Sequence, residues 1–253
     1  YGDYDVDGTT SVSMMYLFLK SQNANCDYYI PDRDTEGYGI SYKGIDSAID
    51  KGISLMICLD CGIKAVEKVA YAKSKGLDLI ICDHHRPGEH LPDAIAVLDP
   101  KRLDCTYPFK ELCGCGVGFK LIQAYLKHQG LDESMAFQYL DLVAVAIGAD
   151  IVPIIEENRV LAFYGLKHLN ENPRMGMKAL IREHKHFGAM NITDVVFTIA
   201  PRINAAGRMK HAHNAVSLLI EQNEEQAVKI ANEIEEYNTE RRSEDQRIVK
   251  EAL

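Results

Sequence analysis

Apolar residues recur along this chain with two different periods. Residues 9–22 carry them at helical spacing, and 26–30 reads as a short strand that Pro31 stops. A helix is expected over 40–51. The run 54–59 is continuously apolar and ends in Asp60, and 78–82 is a second such run, ending in Asp83-His84-His85. Between them 64–75 is amphipathic, and 94–98 is a third apolar run. Short apolar strands alternating with helices predict βαβ units, hence an α/β fold with a parallel sheet and helices on both faces. After Asp99 the pattern turns helical, over 116–130, 134–148, 158–170 and 178–185. This mainly helical second half would close one side of the sheet or form a subdomain. In 212–253, Ala227, Ile230, Ile234 and Tyr237 form a narrow apolar stripe that fades into the charged run 239–245. A charged helix with so narrow a stripe suggests a connector. The expected organisation is a catalytic domain over 1–221 and a connecting helix over 222–253 that leads toward a further domain.

Composition narrows this picture. A chain of 253 residues with 47% apolar and 26% charged positions is an ordinary globular chain. A disordered tail, a fibre and a disulfide-stapled mini-protein are excluded. No apolar run approaches the ~18–20 residues that would span a bilayer. The chain opens at Tyr1 without a Met or a signal peptide and stops at Leu253 inside a helical pattern, so it reads as a piece of a longer protein. The net charge of −9 argues against a broad basic surface for nucleic acid. Ten acids and five bases after residue 220 account for −5 of it, and several remaining acids sit in short motifs where cations could offset them. Seven cysteines, two of them (Cys58 and Cys82) inside apolar runs, fit a reducing, cytoplasmic location. Cys58-x-x-Cys61 and Cys113-x-Cys115 could make a zinc site but lack the usual surroundings of one.

Five motifs carry candidate chemistry. Asp3, Asp5 and Asp7 alternate before Gly8 and a Thr-Thr-Ser helix start. Acids this close repel unless a cation lies among them, and hard oxygen donors suit Mg²⁺ or Mn²⁺; an acidic surface turn is the alternative. The segment imitates a calcium loop, but Met14 stands where an EF-hand needs Glu. Asp60-Cys61-Gly62 and Asp83-His84-His85 follow apolar runs, and ligands gather at the carboxyl ends of strands in open α/β sheets. Asp150 ends an apolar helix, where it opposes the macrodipole and asks for a partner. Pro201-Arg202-Ile203-Asn204-Ala205-Ala206-Gly207-Arg208 offers two arginines and an Asn to phosphate oxygens, or is a capped turn. Gly114-x-Gly116-x-Gly118 hints at a dinucleotide site, with the wrong spacing and no good strand before it. The His184-x-His186 and His211-x-His213 pairs read as surface residues.

Taken in order, segments 2–11, 28–41, 60–63, 83–102, 107–120, 149–159 and 201–209 resemble the DHH phosphoesterase family, which is named for the triplet found here at Asp83-His84-His85. The resemblance implies a two-metal centre with Mn²⁺ or Mg²⁺, in which Asp5, Asp7, Asp60, His84 and Asp150 are ligands and Asp60 bridges. It implies that His85 contacts the scissile phosphate or assists the leaving group, with Asp83 and Asp3 completing the catalytic set. Arg33, Asn204 and Arg208 would bind DNA phosphates. The implied activity is 5′→3′ exonucleolytic hydrolysis of single-stranded DNA to 5′-mononucleotides, in repair and recombination. The implied partners are a 5′ end of single-stranded DNA, a single-strand-binding protein and a helicase, with the enzyme a monomer away from membranes. Cys61 stands where Asn is also common in the family. Other branches (nano-RNases, cyclic-dinucleotide phosphodiesterases, pyrophosphatases) or an inactive replication scaffold are the competing expectations, with an oxidoreductase resting on the glycine motif behind them.

Overall fold

The computed structural model describes residues 1–183, 188–208 and 212–252, with nothing to say of the side chains of 183, 208, 212 and 252. Three parallel strands, β1 (Leu55–Leu59), β2 (Asp78–Cys82) and β3 (Ala96–Leu98), lie in the order β1-β2-β3. Leu55 pairs with Asp78 and Ile80 with Ala96, so the strands run in step and their carboxyl ends share one edge. Gly2 extends that edge by a parallel bridge to Leu59. An Asp follows each of these four places (Asp3, Asp60, Asp83 and Asp99), and all four are buried. The parallel fold predicted from the apolar runs is therefore present, and it puts four carboxyl groups along one line.

The period of two along each strand sorts side chains between two cores. Met56, Cys58, Leu79 and Ile81 enter one cluster, with Ile45 from α3 (Tyr42–Asp50) and Val69 and Ala72 from α4 (Val66–Ser74). Leu59 and Cys82 enter the larger one on the other face, with Ile57, Ile80 and Leu98 against it. That cluster is built on α1 (Val6–Ser21), which supplies Val12, Met14 and Phe18, and on later helices. The short α2 (Arg33–Glu36) lies between α1 and α3. The second half contributes α5 (Gly114–His128), α6 (Leu140–Ala149), α7 (Glu156–Glu171), α8 (Met175–Glu183), α9 (Ile192–Asp194) and α10 (Ala200–Arg208). A π-helical turn, Val195–Ile199, runs into α10. Then come α11 (Ala212–Ile220) and α12 (Glu224–Ala252), whose Ala227, Ala231 and Ile234 are buried in the same core.

Two expectations change. Residues 26–30 form no ladder among the described residues; Gly2 N–H donates to the Tyr29 carbonyl at 3.3 Å, and the segment is otherwise an extended strap. Residues 134–148 are not one helix. Asp132 accepts from Ser134 N–H, a 3₁₀ turn follows over Glu133–Tyr139, and α6 begins only at Leu140. The tighter turn brings Ala136 and Tyr139 into the core beneath α5 while α6 stays buried on all sides.

α6 matters most for position, since it delivers Asp150 as its C-cap. α7 packs on it so closely that a Cβ at Gly165 would lie 2.1 Å from the Leu140 carbonyl oxygen. At its start Asp141, with no exposed side-chain surface, receives both Nε and Nη2 of Arg174 at 2.6 Å. Removing one partner of a buried pair leaves the other charge desolvated, which costs about 3–5 kcal/mol. Arg174→Ala is accordingly expected to lower the unfolding free energy in urea by about 3 kcal/mol, while Arg174→Ala combined with Asp141→Leu recovers most of that loss. A single-variant cost below about 1 kcal/mol would contradict the pairing.

Candidate metal centre

The sequence folds locally to bring its acids together. Asp5 is the N-cap of α1, accepting Gly8 N–H at 2.9 Å, and this starts the helix that holds Asp7 in its first turn. Gly8 is needed there, because a Cβ would sit 2.3 Å from the Asp3 carbonyl oxygen. The Asp7 carboxylate turns inward onto the N-terminus of α5, where Gly114 N–H donates to Oδ2 at 2.6 Å and Cys115 N–H to Oδ1 at 2.7 Å. The glycine motif at 114–118 thus presents its free amides to a carboxylate of the same chain, and the dinucleotide reading falls. Gly114 also admits Asp60, since a Cβ there would lie 2.5 Å from Asp60 Cβ. Asp60 itself has φ of 59°, a left-handed turn that ends β1.

His84 lies at the centre. Its Nε2 is 3.2 Å from Asp60 Oδ1, 3.7 Å from Asp7 Oδ2 and 3.7 Å from Asp150 Oδ2. Two donor groups result, Asp60 with His84 and His85, and Asp7 with His84 and Asp150. Asp60 Oδ1, Asp3 Oδ1 and His84 Nε2 are buried and lack a hydrogen-bond partner. Buried polar atoms are nearly always satisfied, so the orphaned Asp60 Oδ1 and His84 Nε2, 3.2 Å apart, ask for a cation. A donor set of carboxylates and one imidazole suits Mn²⁺ or Mg²⁺.

Electrostatics point the same way. Burial, and then the charges of Asp150 and Asp5, push Asp7 well above the ordinary carboxylate range; burial and the charges of Asp7 and Asp5 do so for Asp60. Asp3 is pushed up to about 7, by burial and by Asp5. Asp150 reaches about 6, by burial and again Asp5. His84 is driven down to about 4 by burial and by the neighbouring His85, so it presents a neutral imidazole. Asp83 behaves differently. Burial pushes it up, but donors outweigh that and hold it low: His85 Nδ1 at 2.7 Å, His84 N–H at 2.7 Å and Ile63 N–H at 2.9 Å. The Asp83 bond in turn raises the pKa of His85.

Of the expected residues, Asp7, Asp60, His84 and Asp150 come together with His85. Asp5 adjoins them electrostatically while its Oδ1 caps α1, and Asp83 acts on His85. Arg33 is exposed on α2, its guanidinium 5.4 Å from the Tyr4 ring. Asn204 is half-buried on α10, which docks on the first motif so tightly that a Cβ at Gly207 would lie 2.2 Å from the Tyr4 carbonyl oxygen. The side chain of Arg208 lies outside the described residues, as do His184, His186 and His211. His213 is exposed and stacks on Tyr28. Arg202 is no phosphate binder: it is buried, donating Nη1 to the Thr198 carbonyl at 2.6 Å and pairing with Glu235 at 2.5 Å. Cys58 and Cys61 belong to one core and Cys113 and Cys115 to the other, all buried free thiols with raised pKa, so they make no zinc site.

Tyr38, in none of the motifs above that carry chemistry, also lies at this site. Its hydroxyl donates to the Asp60 carbonyl oxygen at 3.3 Å and lies 3.2 Å from His85 Nε2. The available signal was an aromatic residue between two glycines; Gly37 and Gly39 both have φ of 76°.

The chain is 44% identical over 254 residues to the single-stranded-DNA-specific exonuclease RecJ of Bacillus subtilis (strain 168), covering all of this chain and 32% of that protein. It is 37% identical to the RecJ of Escherichia coli (strain K12), again over its whole length and 46% of the relative. The chain thus spans 32% and 46% of the lengths of these two curated relatives. A crystal structure of exonuclease RecJ bound to manganese superposes with a TM-score of 0.90 at 31% identity, over 99% of this chain and 63% of the other. Residues 1–147 match the model of the DHH family, N-terminal domain, and the chain belongs to that family.

Proposed function

We propose that this chain is the catalytic core of a metal-dependent 5′→3′ exonuclease that hydrolyses single-stranded DNA to 5′-mononucleotides. The observation that carries this reading is the pair of buried donor groups sharing His84 at the carboxyl edge of the sheet. Asp5, Asp7, Asp60, His84 and Asp150 would hold two divalent cations, Mn²⁺ or Mg²⁺. When bound, the cations would supply Lewis-acid polarisation of a phosphodiester and acidify a water. The protein does the rest. Gly114 and Cys115 amides orient Asp7, so its carboxylate is fixed before substrate arrives. Asp83 holds His85 by Nδ1 and raises its pKa, which leaves Nε2 to contact the scissile phosphate or deliver a proton to the departing 3′ oxygen. Asp3 supports the cluster from the adjoining strand end. Arg33, Asn204 and Arg208 would take phosphates of the strand. α12 would connect this core to a further domain. No helix among the described residues is long and apolar enough to cross a membrane. The setting that fits is cytoplasmic DNA repair and recombination by a monomer, with a single-strand-binding protein and a helicase exposing the strand.

Two outcomes test the metals. A carboxyl group raised in the folded state binds more protons there than in the unfolded chain, so stability falls as pH rises between the two values. For Asp3 that window runs from 3.8 to about 7, and for Asp150 from 3.8 to about 6. Cations replace those protons. The melting-temperature gap between Mn²⁺ and EDTA is expected to be small near about pH 5 and to widen by about pH 7.5. A gap that is absent or constant across that range counts against the centre. Gly114→Ala, whose new Cβ meets Asp60, is expected to weaken Mn²⁺ binding in calorimetry by about 10–100-fold.

The activity is tested with the full-length protein on 5′-phosphorylated single-stranded DNA and Mn²⁺, resolving products by size. Mononucleotides are expected, abolished by EDTA and by Asp60→Ala. Cleavage confined to dinucleotides or cyclic dinucleotides would move the protein to another branch of the family. A metal-loaded wild-type protein that cuts nothing would leave only the scaffold reading.

A further inference from the structure

Residues 31–41 cross from the strap to α3 and carry both Arg33 and Tyr38, yet 33–36 is the only helical turn they contain. Two of the glycines, Gly37 and Gly39, adopt positive φ. Such a segment has many conformations available, and something must select one. The selecting group is a carboxylate. Glu36 has a side chain only 4% exposed, although it lies in a short polar segment. Its two oxygens accept from Tyr29 hydroxyl at 2.9 and 3.0 Å, from Asp32 N–H at 2.9 Å and from Ser41 Oγ at 2.6 Å, with Lys43 Nζ at 3.4 Å.

Every one of these partners is a donor, and they come from both ends of the segment. Tyr29 and Asp32 precede the turn, while Ser41 and Lys43 follow it. Burial pushes the Glu36 carboxyl up, but the hydrogen bonds from Ser41, Asp32 and Tyr29 outweigh it and hold the group below its ordinary value. Ser41 is itself anchored, for its Oγ accepts Gly44 N–H as the N-cap of α3 and its N–H donates to the Tyr1 hydroxyl. The bridge thus ties the segment to α3 and the strap at once. Arg33 is then held over Tyr4, inside the first acidic motif, and Tyr38 over His85 and the Asp60 carbonyl.

We infer that Glu36 is a positioning residue for nucleic-acid binding, a carboxylate bridge that sets the 31–41 segment so that Arg33 and Tyr38 face the strand beside the metal centre. This rests on the nuclease reading above. Glu36 touches neither substrate nor metal ligands and acts through the two residues it places.

Glu36→Gln is the informative variant, because it keeps the shape and replaces one acceptor oxygen with an NH₂ that meets donors. The full-length protein is used, with 5′-phosphorylated single-stranded DNA. Binding is read by fluorescence anisotropy in Ca²⁺, and KM and kcat are read in Mn²⁺. Glu36→Gln is expected to raise Kd and KM about tenfold, with Mn²⁺ affinity unchanged and kcat within about threefold of wild type. Tyr29→Phe, which removes one donor and keeps the ring stacked on Tyr1, is expected to shift Kd in the same direction by a smaller factor. It stands in should Glu36→Gln fail to fold. The distinguishing result is a mutant cycle against Arg33→Ala combined with Tyr38→Ala, which lacks both residues that Glu36 places. If Glu36 acts through these two, adding Glu36→Gln to that variant leaves binding little changed. Additive losses, a loss of Mn²⁺ affinity equal to the loss in KM, or a Glu36→Gln variant identical to wild type each overturn this inference while leaving the nuclease reading intact. A wild-type protein that neither binds nor cuts the oligonucleotide overturns the nuclease reading itself.

Discussion

Three carboxylates within 4 Å of one imidazole, two of them and the imidazole almost wholly buried, are held together against their own repulsion. Everything around them serves that constraint. A buried charge needs donors or a counter-charge. Asp7 finds backbone amides at the start of α5, and Asp83 finds those of Ile63, His84 and His85. Even so, burial and neighbouring acids raise Asp7 as they raise Asp60 and Asp150, while Asp83 is held low. Backbone donors thus fix carboxylates in place without removing the need for a cation, and Asp83, the one held ionised, serves His85.

The parallel sheet makes such crowding possible. Strands in step end at one edge, so residues following different strands become neighbours without any loop having to reach. Helices then approach from both faces, and glycines mark where they come closest: Gly8 against residue 3, Gly114 against Asp60, Gly207 against Tyr4. Each lies inside one of the sequence motifs. At Gly114 and Gly207 the glycine reflects contact between segments far apart in the chain, and at Gly8 a tight local turn onto Asp3, rather than flexibility.

Much of this was legible in the residues. Continuous apolar runs ending in Asp told of buried parallel strands and of the edge where the site lies, because burial on both faces leaves no polar positions in the strand itself. The acidic residues were legible by the same logic, as charges placed where a bare surface turn would not need them. Other features were hidden for physical reasons. Residues 26–30 have strand composition, but a ladder needs a neighbour along their length, and among the described residues only Gly2 bonds to their backbone from another segment's backbone. Arg202 looks like a phosphate ligand until Glu235, 33 positions away on α12, is seen to neutralise it. Tyr38 and Glu36 depend on donors and acceptors brought together by folding; the glycines flanking Tyr38 mark a turn but not what its hydroxyl meets.

The donor set reaches from Asp3 to Asp150, and its innermost bond joins residue 7 to residue 114 across a separation of 107 positions. Contacts of such long range close slowly and late, since loop entropy must be overcome first. During synthesis the amino-terminal acids emerge long before their partners. A chain still on the ribosome can therefore offer isolated aspartates but no cation trap, and metal uptake becomes a report that the whole core has assembled. The donor set stays open until translation has passed α6, the helix that delivers Asp150.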